Sequence, residues 1–149
     1  MSIKFEPSIV HQETILLQGL IDIFGIQKGV VVDIGAHDGI FLSNSRPFLE
    51  QGWKGYLFEG NIELFKKLEQ NSSAFSALTV NHVFVDPKLE TLDTVFEKYG
   101  IFDEIDILSI DIDSFDLQLF LSLTSQRPKI VIIEFNQTIP NHVYHIQLD

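Results

Sequence analysis

The chain has 149 residues, 45% of them hydrophobic and 21% charged, which suits one soluble domain around one core and excludes disorder and low complexity. Ten basic against 21 acidic residues leave a net charge of −11, which repels phosphate backbones and anionic lipids and argues against general nucleic-acid or membrane-surface binding. The absence of cysteine excludes a disulfide framework, a thiolate nucleophile and Cys-ligated zinc, and the short apolar runs with no signal-peptide pattern give a cytoplasmic protein as the expectation.

In chain order, Leu16, Leu17, Leu20, Ile21 and Phe24 recur at three- and four-residue spacing after Pro7. They predict a first helix over about 7–25, closed near Gly25 or Gly29. Val30-Val31-Val32-Asp33-Ile34 is a β-branched run of the kind that sits in a strand buried on both faces. A helix is expected to begin near Ser45, with Pro47 in its first turn and Gly52 closing it, and Gly55-Tyr56-Leu57-Phe58-Glu59 reads as the second strand. Asn61 is placed to cap the next helix, in which Ile62, Leu64, Phe65 and Leu68 point inward and Glu63 can pair with Lys67. Residues 74–85 read as a weaker strand, and Leu89 to Tyr99 as a helical stripe. A strand over 105–110, a helix over 115–123 and a strand over 129–135 follow. The whole chain, 1–149, is thus one domain with a core over 29–136 and a tail over 137–149. Alternating strands and helices predict an α/β, Rossmann-like, doubly wound and mostly parallel sheet of about five strands with helices on both faces.

Such sheets bind ligands outside the carboxyl ends of their strands, and four carboxylates stand at those ends: Asp33, Glu59, Asp111 and Glu134. Around Asp33 the sequence runs Val32-Asp33-Ile34-Gly35-Ala36-His37-Asp38-Gly39. Gly35 permits a sharp turn, and Ala36 and Gly39 leave room for a ligand against the backbone. His37 occupies the place of the second glycine of a dinucleotide fingerprint, which weakens a NAD or FAD reading. Asp33 suits a cationic or amine-bearing tail, with backbone capping as the plainer alternative. Glu59 follows Gly39 at the spacing expected for an acid on ribose hydroxyls, and a carboxylate has the two acceptors that two hydroxyls need. Together they describe a pocket for an adenosine with an amino-acid tail.

With these residues in view, the chain resembles class I S-adenosylmethionine-dependent methyltransferases, specifically the FkbM-like group, over roughly residues 30–147. Three blocks carry the resemblance: the Asp33–Gly39 turn with Ser43-Asn44-Ser45; Gly52 to Asn61; and Ile105 to Asp116 with Arg127-Pro128-Lys129 and Ile133-Glu134-Phe135-Asn136. The resemblance implies S-adenosyl-L-methionine as cofactor, with Asp33, Gly35, Ala36, His37 and Gly39 at its methionine end, Glu59 on the ribose, and Gly60 and Asn61 beside the adenine. It also implies methyl transfer, with Asp111 orienting or deprotonating an acceptor and Asp113 second. The expected reaction is O-methylation of a small-molecule or saccharide-type acceptor; the alternative is a non-catalytic or degenerate cofactor-binding domain without an acceptor site. For Asp113 the favoured explanation is structural, a cap of the following helix, and Ser114 replaces the glycine usual after it.

No metal site is expected, because the acidic triplet lacks the other parts of a calcium loop and the histidines form no ligand pair. The final β-hairpin of full-length class I enzymes has no residues here to build it. Strand 129–135 would then be an exposed edge, and a homodimer through that edge or a tail folded back over it is the expectation.

Overall fold

The computed structural model describes residues 12–134 except Pro87 and Ser114. Among these residues five helices and five strands alternate: α1 (Gln12–Phe24), β1 (Val30–Ile34), α2 (Arg46–Glu50), β2 (Lys54–Glu59), α3 (Ile62–Ser72), β3 (Leu78–His82), α4 (Leu92–Lys98), β4 (Ile107–Ile110), α5 (Asp116–Leu121) and β5 (Ile130–Ile133). The strands form one sheet in the order β3-β2-β1-β4-β5, and every neighbouring pair is parallel. The chain therefore winds outward in one direction from β1 to β3 and in the other from β4 to β5. The doubly wound α/β architecture read from the sequence is the one the chain adopts.

Strand residues alternate between faces, and each face has its own core. On one side Val32, Ile34, Tyr56, Phe58, Leu108 and Ile110 pack against Val95 and Phe96 of α4 and Leu119 of α5. On the other, Val31, Leu57, Ile107 and Ile130 meet Leu17 and Ile21 of α1, Phe48 and Leu49 of α2, and Leu68 of α3. Val31, Val32, Leu57, Ile107 and Leu108 are completely buried, which explains why β1 and β4 lack the polar alternation of a half-exposed strand. At the amino ends of the strands, Asp106 accepts the Val30 amide at 2.8 Å and the Lys129 ammonium at 2.6 Å, tying β1, β4 and β5 together.

Several local expectations change. The first helix begins at Gln12 where description begins, and only Leu17 and Ile21 of its stripe are deeply buried; Leu16 and Phe24 are exposed because a single sheet face accepts a narrower stripe than the sequence offers. Asn61 caps α3 by accepting the Glu63 and Leu64 amides, whereas Glu63 pairs with Lys66, three residues on, at 2.9 Å instead of Lys67. The weak strand contracts to β3, and the 129–135 strand to β5. Asp113 does not cap α5: Phe115 occupies that position, and Asp113 lies in the left-handed region at φ 61°. The tail 137–149 and residues 7–11 lie outside the described residues.

Candidate functional site

The strand register decides which acids meet. Asp33 is level with Leu57 of β2 and Ser109 of β4, so all three share the face covered by α1, α2 and α3. Asp33 is 4% exposed, and its carboxylate accepts a 2.6 Å hydrogen bond from the Ser45 hydroxyl. Ser45 stands at the N-cap of α2 yet its side chain caps nothing there; the Arg46 amide turns to the Ser43 hydroxyl at 3.1 Å. A capping hydroxyl has thus been diverted to hold an acid at the strand tip. Burial raises the Asp33 pKa from 3.8 to about 6, against the opposing hydrogen bonds from Ser45 and Ser109.

The turn after β1 is fixed to the end of β2 by three successive amides. Gly35 and Ala36 donate to the Phe58 carbonyl, both at 2.9 Å, and His37 donates to Glu59 Oε2 at 2.8 Å. Asn61 donates to Glu59 Oε1 at 2.7 Å, so the two oxygens of this buried carboxylate bridge the loops after β1 and β2. Gly35 has φ 86°, and a Cβ there would strike the backbone carbonyl of Asp111, so only glycine lets the β1 turn lie against the end of β4. Convergent turn amides of this kind commonly bind phosphate in related folds. Here the protein's own acceptors fill that role.

On the β4 and β5 side, Asp111, Asp113 and Glu134 are exposed, and one carboxylate oxygen of each lies within 4.8 Å of the others. Desolvation first, and then the negative charge of Asp111, push Glu134 from 4.5 to about 7; Asp111 is also raised, again chiefly by desolvation.

A cavity of about 690 Å³ joins these groups at the carboxyl ends of β1, β2, β4 and β5. It brings together Asp33, Gly35, Ala36, His37, Glu59, Gly60, Asn61, Asp111 and Asp113 of the residues singled out in the sequence. Gly39 is not among its walls. It lies behind the turn at φ 73°, where a Cβ would meet the Leu68 side chain. Gly60 is covered by Phe84, which is 72% exposed and forms part of the wall. The remaining wall includes Ser43, Asn44, Ser109, Phe41, Leu42, Phe84 and Glu134, of which only Ser43, Asn44 and Glu134 drew notice in the sequence. Apart from Ser109 of β4, the aromatic and hydroxyl residues come from loops without periodicity; the sole hint was the hydroxyl-rich stretch before Pro47. The three non-glycine residues with positive φ among the described residues, His37, Leu42 and Asp113, all line this one cavity. Backbone conformations of that kind cost roughly 1–2 kcal/mol each and concentrate where ligands are held.

A parallel doubly wound sheet with helices on both faces and a polar cavity at its strand tips defines a Rossmann-like domain. The chain belongs to the methyltransferase FkbM domain family, which it matches over residues 69–148, more than half of its length. No curated protein matches it. Among solved structures it is similar to a hypothetical protein of Thermus thermophilus, with TM-score 0.52 and 18% identity over 82% of this chain and 72% of that one. It is also similar to M. capricolum TrmK, solved with the cofactor product S-adenosyl-homocysteine, with TM-score 0.50 and 16% identity. That alignment covers 82% of this chain and 49% of TrmK, so the chain spans about half the length of that relative. At such identities both likenesses are likenesses of fold.

Proposed function

We propose that the cavity binds S-adenosyl-L-methionine and that the chain transfers the methyl group to an oxygen of a small-molecule or saccharide-type acceptor. The observation that carries this reading is the pairing of acids with an internally satisfied turn: Asp33 and Glu59 face the cavity while the turn amides are taken by Phe58 and Glu59. Membership of a methyltransferase family and the product bound in TrmK support it. A pyrophosphate would find the Gly35, Ala36 and His37 amides already taken and no lysine or arginine among the described cavity walls. A ligand with a sulfonium, an amine and two hydroxyls finds complementary acceptors.

The cofactor supplies an electrophilic methyl group on a positively charged sulfur. Asp33, ionised above pH 6, attracts the amino-acid tail near Gly35, Ala36 and His37, with Gly39 supporting the turn from behind. Each Glu59 oxygen keeps a lone pair after its amide bond, sufficient for one ribose hydroxyl apiece. Gly60, Asn61 and the exposed Phe84 ring flank the adenine side. Asp111, with Asp113 beside it, orients the acceptor and takes the proton of its hydroxyl.

A second reading, a cofactor-binding domain without turnover, draws on the openness of the acceptor side, where Asp111, Asp113 and Glu134 are all exposed. Calorimetric titration with S-adenosylhomocysteine tests the shared part. Binding to the wild type and a loss of about 2–3 kcal/mol in Glu59→Ala are expected, as for hydrogen bonds to a charged acceptor. Equal affinity of variant and wild type would reject the ribose assignment. Transfer of a labelled methyl group to an extract component separates enzyme from binding module.

A further inference from the structure

We propose that Glu59 is also a positioning residue, which sets the shape of the β1 turn before any cofactor arrives. Its carboxylate makes two hydrogen bonds to loop backbone, 2.8 Å from the His37 nitrogen and 2.7 Å from the Asn61 nitrogen. Neither bond closes a helix or a strand ladder, and one spans 22 residues of sequence. The His37 bond falls on a residue held at φ 53°, a conformation a side chain disfavours unless its surroundings impose it. The turn is also closed by the Gly39 amide on the Ala36 carbonyl at 3.0 Å and braced by Asn71 on the Asp38 carbonyl at 2.8 Å, but neither bond takes the His37 amide, and the exposed His37 ring lies 5.7 Å from the Phe41 ring and 3.4 Å from Asp38. Gly35 and Ala36 meanwhile share the Phe58 carbonyl. The carboxylate is therefore the acceptor that turns the third amide of the series inward and extends the hold to the first residue of the α3 cap.

One consequence is that the two ends of the cavity are mechanically joined. The methionine side of the site is built from the β1 turn and the adenine side from Gly60 and Asn61, and Glu59 holds both. Loss of the carboxylate would loosen the turn even for a ligand that never touches Glu59. This goes beyond the ribose role, although its second test rests on the cofactor reading.

Amide hydrogen exchange in the ligand-free protein provides the first test. Glu59→Gln keeps size but offers only one acceptor, and it should speed exchange at His37 or Asn61 by at least about tenfold while core amides of β1 and β4 are unchanged. Unchanged exchange at both positions overturns the proposal, whatever the protein binds. Should Glu59→Gln fail to fold, Glu59→Asp, which keeps the charge on a shorter arm, is read in the same way. The second test uses 2′,3′-dideoxy-S-adenosylhomocysteine, which has no hydroxyls for Glu59. Weaker binding of this analogue by Glu59→Gln than by wild type supports positioning, and equal binding leaves Glu59 with a ribose role alone and overturns it. If neither protein binds any nucleoside, the cofactor reading falls, while the exchange result still decides the role of Glu59.

Discussion

Asp33 is a costly residue for the fold. Its ordinary value of 3.8 rises to about 6 on burial, so between those values the folded chain holds a proton that the unfolded chain has released. Its contribution to stability therefore falls as pH rises from about 4 through 6 and stays low above that, by on the order of 3 kcal/mol. Asp33→Asn keeps the shape and an acceptor for the Ser45 hydroxyl but cannot ionise. Urea unfolding at pH 8 should find it more stable than the wild type, with the difference shrinking toward pH 4, while cofactor affinity is lost. A variant less stable at pH 8 would mean that the carboxylate is held as an anion by more than the Ser45 and Ser109 hydroxyls. Phe84, bare on its outer face beside Gly60, gives a second residue-scale expectation. Phe84→Ala should weaken S-adenosylhomocysteine binding by about 1–3 kcal/mol, the usual worth of a base stacked on a ring, with little change in melting temperature. The acids were legible in the sequence because each ends an apolar run. Phe84 and Ser109 were not, since nothing in a loop or a buried strand marks which side chain will face a cavity.

At the scale of the elements, β1 and β4 meet where the winding reverses, and Gly35 sets how closely their ends approach. Gly35→Ala places a methyl group against the Asp111 carbonyl at a backbone angle that alanine resists. Thermal melting should show a loss of about 2–4 kcal/mol, together with weakened cofactor binding. At the ends of β4 and β5, desolvation raises both the Asp111 and the Glu134 carboxyl, Glu134 to about 7. If Asp111 accepts the acceptor's proton, kcat/KM should climb with pH through the region near 7 where Glu134 titrates. Replacing Glu134 by glutamine takes away the group that titrates near 7 while keeping a hydrogen-bond donor for Asp111, and should move that ascending limb to lower pH. A limb that stays in place would detach the pair from the chemistry. Helix α5 shows where reading elements from sequence fails. Asp113 has the composition of a cap, but the chain passes it in a left-handed turn, and the helix begins three residues later at Asp116, behind Phe115. Capping residues and turn residues are drawn from the same few types, and only the path of the chain separates them.

For the molecule as a whole, the parallel, doubly wound character of the sheet followed from sequence more readily than its margins did. Four-residue runs such as Ile130-Val131-Ile132-Ile133 announce strands, and parallel crossovers of one hand leave few ways to arrange them. What covers the outermost strand is a matter of surfaces, on which periodicity is silent. Ile130 and Glu134 give their amides to β4, so by the two-residue repeat those of Val131 and Ile133 point away from it. The expected homodimer through this margin would appear as a doubled mass in sedimentation equilibrium. Val131→Pro, which removes an outward amide and no bond to β4, should then give a folded monomer. Trp53 offers a practical convenience. It is the chain's one tryptophan, sealed against Phe48 at the start of β2, a strand's length of roughly 20 Å from the crevice at the other end. Its fluorescence should follow denaturation faithfully while remaining blind to occupancy, so the damage done by each substitution can be scored optically even in a cuvette full of nucleoside.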